Sequence, residues 1–158
     1  MRSLRGVRQV EDVISGPGTF ARTTYRLRAP DRLAYVTDRG VQGVTVGARQ
    51  FVRVPGAPWQ VSPTAAAVPF RTASWFRFTP YATAVRLLAE RPVGGRRLAE
   101  LALMDPGTPV WTRLTVDEAS GRVLRDRLVL PARDVSHRNF GFEAPVAIAV
   151  PTGAIRGG

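Results

Sequence analysis

One histidine, two acidic pairs, and neither cysteine nor lysine make up the chemical inventory of this sequence. His137 stands in Ser136-His137-Arg138-Asn139, and any Ser-His-Asp triad or imidazole acid–base pair would have to use it. The segment reads as mid-strand, and Arg138 next to the ring disfavours the imidazolium. A structural strand histidine is therefore the favoured reading, because catalysis needs nucleophile, base and orienting partner together and no such set can be named. Glu11-Asp12 and Asp117-Glu118 are the raw material of glycoside hydrolysis. The second pair falls in a hairpin loop, where solvated turn acids are the ordinary outcome. With one His, no Cys, and Met1 and Met104 as the only thioethers, a soft copper site cannot be assembled, and the carboxylates show no ligand spacing. Gly16-Pro17-Gly18 and Gly94-Gly95 lack the strand-to-helix context of a phosphate loop and read as turns. The expectation is a protein that is not an enzyme and uses no cofactor and no metal.

Composition bounds the rest. At 158 residues and 44% hydrophobic content the chain is one domain long, with enough apolar material for a core. The absence of Cys removes disulfides, Cys-ligated zinc and thiol chemistry, and selects no compartment. All 23 basic side chains are Arg, and 12 acids leave a net charge of +11, a balance that attracts nucleic acid or an anionic membrane surface. A GC-rich genome explains Arg in place of Lys but not the excess charge. Without Lys there is no Schiff-base chemistry and no P-loop lysine. The longest apolar run, Ala144 to Pro151, is far short of the ~20 residues of a spanning helix. The N-terminal MRSLRGVRQVEDVISG has no apolar stretch behind its arginines and is not a signal peptide.

The elements that must position these residues are short strands. The clearest is a hairpin from Pro109 to Pro131: Val110, Leu114 and Val116 share one face of the first arm, and Trp111, Arg113, Thr115 and Asp117 the other. In the return arm Leu124, Leu128 and Leu130 alternate with Arg125, Arg127 and Val129, around a loop that starts at Asp117 and closes on Gly121. Strands are also predicted over Val7–Ser15, Thr19–Arg28, Leu33–Thr37, Val41–Val46 and Gln50–Val54, an antiparallel meander, then over Arg97–Met104, Asp134–Phe142 and Pro145–Val150. Pro55 to Pro69 reads as a loop or lid. Tyr81 to Glu90 fits either a short helix or a strand.

The aromatic residues Tyr25, Tyr35, Phe51, Trp59, Trp75, Phe76, Phe78 and Trp111 lie on or near several of these strands. A sheet can enclose them as packed core or as the lining of an apolar cavity, and for any single one the core is the commoner fate. The arginines are spread from Arg2 to Arg156, which reads as a solvated face or as attraction to anionic lipid headgroups.

Four stretches taken in order resemble the bacterial lipoprotein-carrier (LolA-like) superfamily: Ser15-Gly16-Pro17-Gly18-Thr19-Phe20; Tyr25 to Leu33 with its Ala-Pro-Asp-Arg corner; Val44 to Phe51 followed by Pro58-Trp59; and the Asp117–Gly121 hairpin. The resemblance runs from about Val7 to Val150. It implies a mainly β (α+β) fold, a curved antiparallel sheet forming a half-barrel, with a short helix in part of Pro80 to Leu88 and the Pro-rich loop over its open side. Residues 1–151 would be the single half-barrel domain and 152–158 a frayed tail. The aromatic set named above would then line a concave cavity that takes lipid or lipoprotein acyl chains for carriage or transfer, outside the cytoplasmic membrane and without covalent chemistry. Carrier domains of this kind usually open with a helix before the first strand, so a start almost on that strand suggests a piece of a longer polypeptide with the export signal upstream. By the same resemblance the chain could be an accessory extracytoplasmic domain of a larger membrane protein of the copper-resistance or copper-export type. A third reading, a basic nucleic-acid-binding module, would need the charge gathered on one exposed face.

Overall fold

The computed structural model describes residues 5–61, 71, 84–104 and 110–156, and these are all β-strand, turn or irregular chain. Its strands are β1 (Gly6–Ile14), β2 (Phe20–Arg28), β3 (Arg32–Thr37), β4 (Gln42–Val46), β5 (Arg49–Arg53), β6 (Gln60–Val61), β7 (Ala84–Val93), β8 (Arg96–Met104), β9 (Trp111–Asp117), β10 (Arg122–Leu130), β11 (Arg133–Phe140) and β12 (Ile155–Arg156). They form one sheet in the order β12-β6-β5-β4-β3-β2-β1-β11-β10-β9-β8-β7. Neighbours from β2 to β6 and from β7 to β11 are antiparallel, and β12 adds to β6 in parallel. The predominantly antiparallel sheet expected from the alternating sequence is the architecture found.

Three expectations are corrected. The short helix placed within Pro80–Leu88 does not form where that stretch is described: Ala84–Leu88 opens β7, with Val85 opposite Leu103 and Leu87 opposite Leu101. The backbone groups that a helix would satisfy internally are satisfied by β8 instead. A bulge between Leu87 and Ala89 breaks the alternation and gives the run its helix-like spacing. Pro145–Val150, expected as a strand, makes no ladder pair; Val146 and Ile148 are buried from the side, and Arg32 Nη1 donates to the Ile148 carbonyl at 2.7 Å. The stretch read as a frayed tail contains β12, held where the Ile155 amide donates to the Trp59 carbonyl at 2.9 Å. Of the Pro-rich loop, residues 55–59 form the irregular connection into β6, and the part from 62 to 69 lies outside the described residues.

The chain divides into two compact units, one of Met1, Glu11–Ala21 and Arg77–Phe140, the other of Arg2–Val10, Arg22–Phe76 and Gly141–Gly158. The first, here the hairpin unit, carries β7 to β11 and a core of Leu103, Leu114 and Val123, with Leu101 and Val116 against it. The second, the meander unit, has two clusters. Val7, Leu27 and Leu33 pack with Tyr25 and Phe142, and Ala34, Val44 and Phe51 pack with Val146 and Ile148. By strand register Leu27 and Leu33 share one sheet face while Ala34, Val44 and Phe51 share the other, so the C-terminal segment seals a face that would otherwise be wet.

Candidate functional site

Strand register builds the site in the hairpin unit. Leu87, Leu101, Leu114, Asp126 and His137 follow one another across β7, β8, β9, β10 and β11. A second row on the same face runs Val85, Leu103, Thr112, Leu128 and Val135. One side of this sheet is therefore an apolar stripe that ends in a carboxylate and an imidazole. At its β7 edge Val85 and Leu87 are 58% and 57% exposed, although Leu103 and Leu114 further in are buried.

The polar end is a three-residue cluster. His137 Nδ1 donates to Asp126 Oδ1 at 2.6 Å, and Nε2 donates to Glu11 Oε2 at 2.9 Å. Alternation along β1 gives Glu11 the same side as Val7, Gln9 and Val13, so the acid keeps the strand pattern. Burial of the ring works against its charge, but the hydrogen bonds and charges of Asp126 and Glu11 together outweigh it and raise the His137 pKa to about 9. The imidazolium is thus favoured, the reverse of what Arg138 implied. Successive strand residues point to opposite faces, so Arg138 never confronts the ring. Both ring nitrogens are occupied as donors, which leaves neither to act as a base, and Ser136 lies on the other face of β11. The cluster is a charge clamp across strands. Nearby, Asn139 Nδ2 donates to the Val123 carbonyl at 3.0 Å, which ties β11 to the bulge in β10.

The aromatic residues expected to line one cavity are placed in three settings. Tyr25 and Tyr35 are cross-strand partners in the meander unit, half-buried, with ring centroids 6.0 Å apart and tilted at 52°. Phe51 and Trp59 belong to the cluster on the opposite face of that unit, Phe51 buried beneath Ile148, and Trp59 under the Arg53 guanidinium at 4.9 Å. Trp111 lies on the arginine-bearing face of the hairpin unit, paired with Met104 and Val129. Trp75, Phe76 and Phe78 lie outside the described residues. The apolar stripe itself is aliphatic, and its signal in the sequence was the same alternation that located the strands.

No group of acids and histidines suited to a metal ion occurs among the described residues, and no helix there is long and apolar enough to cross a membrane. No family model matches the chain, and no curated protein matches it. Solved structures do. The Mycobacterium tuberculosis lipoprotein LppX superposes with a TM-score of 0.67 over 93% of this chain and 91% of its own, at 12% identity. LprF of Mycobacterium bovis gives 0.61 over 96% and 91%, at 11% identity, and an uncharacterised conserved protein of Thermus thermophilus gives 0.57 over 98% and 91%, at 10% identity. The chain therefore has the fold seen in LppX and LprF.

Proposed function

We propose that this chain binds an apolar ligand, the acyl chains of a lipid or lipoprotein, for carriage or transfer in the cell envelope, without covalent chemistry. The observation that carries the proposal is the aliphatic stripe of the hairpin unit, whose edge residues Val85 and Leu87 stand more than half exposed. Large apolar side chains aligned on one side of a sheet and left in water mark a surface that something apolar covers. An acyl chain laid along it gains about 0.8 kcal/mol per buried CH₂, which is enough to hold a lipid and, with no bond to break, to release it. The fold shared with the lipoprotein LppX supports the same reading, as does the engagement of both ring nitrogens of His137 by carboxylates.

The test is native mass spectrometry of protein purified without detergent, then titration with a fluorescent fatty acid. Leu87→Glu places a charge on the exposed stripe without opening the core, and it should weaken acyl binding at least tenfold. Unchanged affinity in this variant, together with a bare mass after incubation with phospholipids and acyl peptides, would overturn the proposal.

A further inference from the structure

The reverse side of the hairpin unit is a different surface. Its central row reads Arg86, Ala102, Arg113, Arg127 and Ser136 across β7 to β11. The next row reads Glu100, Thr115, Arg125 and Arg138, and the row above holds Met104, Trp111, Val129 and Asp134. Arg127 is taken by Asp134, and Glu100 by Arg91. Arg86, Arg113, Arg125 and Arg138 are exposed and have no acidic partner among the described residues. Beside them Trp111 is 55% exposed, with Val129 also in water.

The sheet pays for this arrangement: Arg113 sits directly opposite Arg127, and Arg125 directly opposite Arg138. Like charges on cross-strand partners destabilise a sheet, and here they lie two pairs deep on one face. Some arginines elsewhere are absorbed internally, Arg32 by the Ile148 carbonyl, Arg53 by Gln42, and Arg97 by Glu90 and Glu118. An uncompensated cationic array with an indole and an aliphatic side chain at its margin has the chemistry of a bilayer interface, where anionic headgroups meet the guanidinium groups and Trp sits at headgroup depth. Nucleic acid fits less well, because the exposed aromatics described on this face, Trp111 and Phe140, stand in rows at its opposite margins and offer no succession of platforms for bases.

We propose that the arginine face of β7–β11, centred on Arg113, Arg125 and Arg138 with Trp111 at its margin, docks on anionic phospholipid bilayers. The inference does not rest on acyl-chain binding, which concerns the other face of the same strands. Co-sedimentation with phosphatidylcholine vesicles, with and without phosphatidylglycerol, at about 0.1 M ionic strength tests it. The protein should partition into the anionic vesicles and not the neutral ones. Each arginine replaced by Gln should cost about fivefold, so Arg113→Gln/Arg125→Gln/Arg138→Gln together should lose about a hundredfold. The matched variant Arg5→Gln/Arg26→Gln/Arg39→Gln, which removes the same charge from exposed sites of the meander unit, should retain most of the binding, and Arg→Lys at the three central sites should retain nearly all of it. Equal loss in the matched variant would reduce the effect to net charge and overturn the surface. Equal partitioning into neutral vesicles would overturn it too, as would displacement from anionic vesicles by DNA that binds more tightly.

Discussion

His137 and Asp126 face each other across β11 and β10 at 2.6 Å, one ring nitrogen to one carboxylate oxygen, on a face whose two central rows are otherwise Leu, Val and Thr. The Asp126 side chain is 2% exposed, and a carboxylate that deep is retained only with a cation at hand. His137 is that cation. Glu11 on its other nitrogen leaves the cluster with one net negative charge and brings the N-terminal strand into the same bond network.

Stability should therefore fall with rising pH across a defined window. The folded pKa of His137, about 9, lies above its ordinary 6.5, so the contribution is complete below about 6.5 and is lost as pH climbs through 9. The side chain retains some solvent contact, which discounts the linkage to about 2 kcal/mol. Unfolding free energies from urea titrations at pH 6 and pH 9.5 should differ by that amount in the parent chain. In His137→Gln the difference should vanish; an unchanged slope there would assign the pH dependence to other groups.

Removing either carboxylate should be unequal in cost. Asp126→Ala leaves a buried imidazolium with one partner and should cost about 3 kcal/mol. Glu11, whose side chain is 21% exposed, can be replaced in part by water, and Glu11→Ala should cost about 1 kcal/mol. Denaturant unfolding of both variants at pH 6 decides it, and equal losses would mean that the two bonds carry the ring equally.

What was legible in the sequence was what alternation encodes. The Asp117–Gly121 loop forms as read: the Ser120 amide donates to Asp117 Oδ1 at 3.1 Å, and Gly121 takes the left-handed φ of 64° that a side chain would resist. The Ser120 amide also holds the Asp117 carboxyl below its usual range, against a smaller opposing effect of burial, as the turn chemistry of this acid requires. Bulges were not legible. The one between Val123 and Arg125 puts Val123 rather than Leu124 opposite Val116. Period-2 reading also says which face a residue takes but not which strand lies beside it. For that reason Glu11, more than a hundred positions from His137 in sequence, could not be joined to it, and Phe51 and Tyr35 could not be separated onto opposite faces.

The cover formed by the C-terminal segment should be energetically essential. Ile148 is 3% exposed against Ala34, Val44 and Phe51, so Ile148→Ala should cost about 3 kcal/mol. Ile155 on β12 is half exposed, and Ile155→Ala should stay within about 0.5 kcal/mol of the parent. A thermal melt of each variant is sufficient; a mild Ile148→Ala would mean that the face beneath it does not depend on the cover.

Gly43 lies directly opposite Tyr35, and a Cβ built on it would come within 2.0 Å of Tyr35 Cε1 and 2.2 Å of Cζ. The ring occupies the space that glycine leaves, so Gly43→Ala must swing Tyr35 away and part it from Tyr25, at a cost of about 1–3 kcal/mol. This substitution separates two roles for the tyrosine pair without truncating either residue. If the pair serves only as packing against Leu27, Leu33 and Val7, Gly43→Ala should lower the melting temperature and leave the affinity for a fluorescent fatty acid within about twofold, because the binding stripe proposed here is aliphatic and belongs to the hairpin unit. If acyl affinity falls tenfold or more in a variant still folded at the assay temperature, the tyrosines line the ligand site, and the site extends beyond the stripe of Leu87, Leu101 and Leu114.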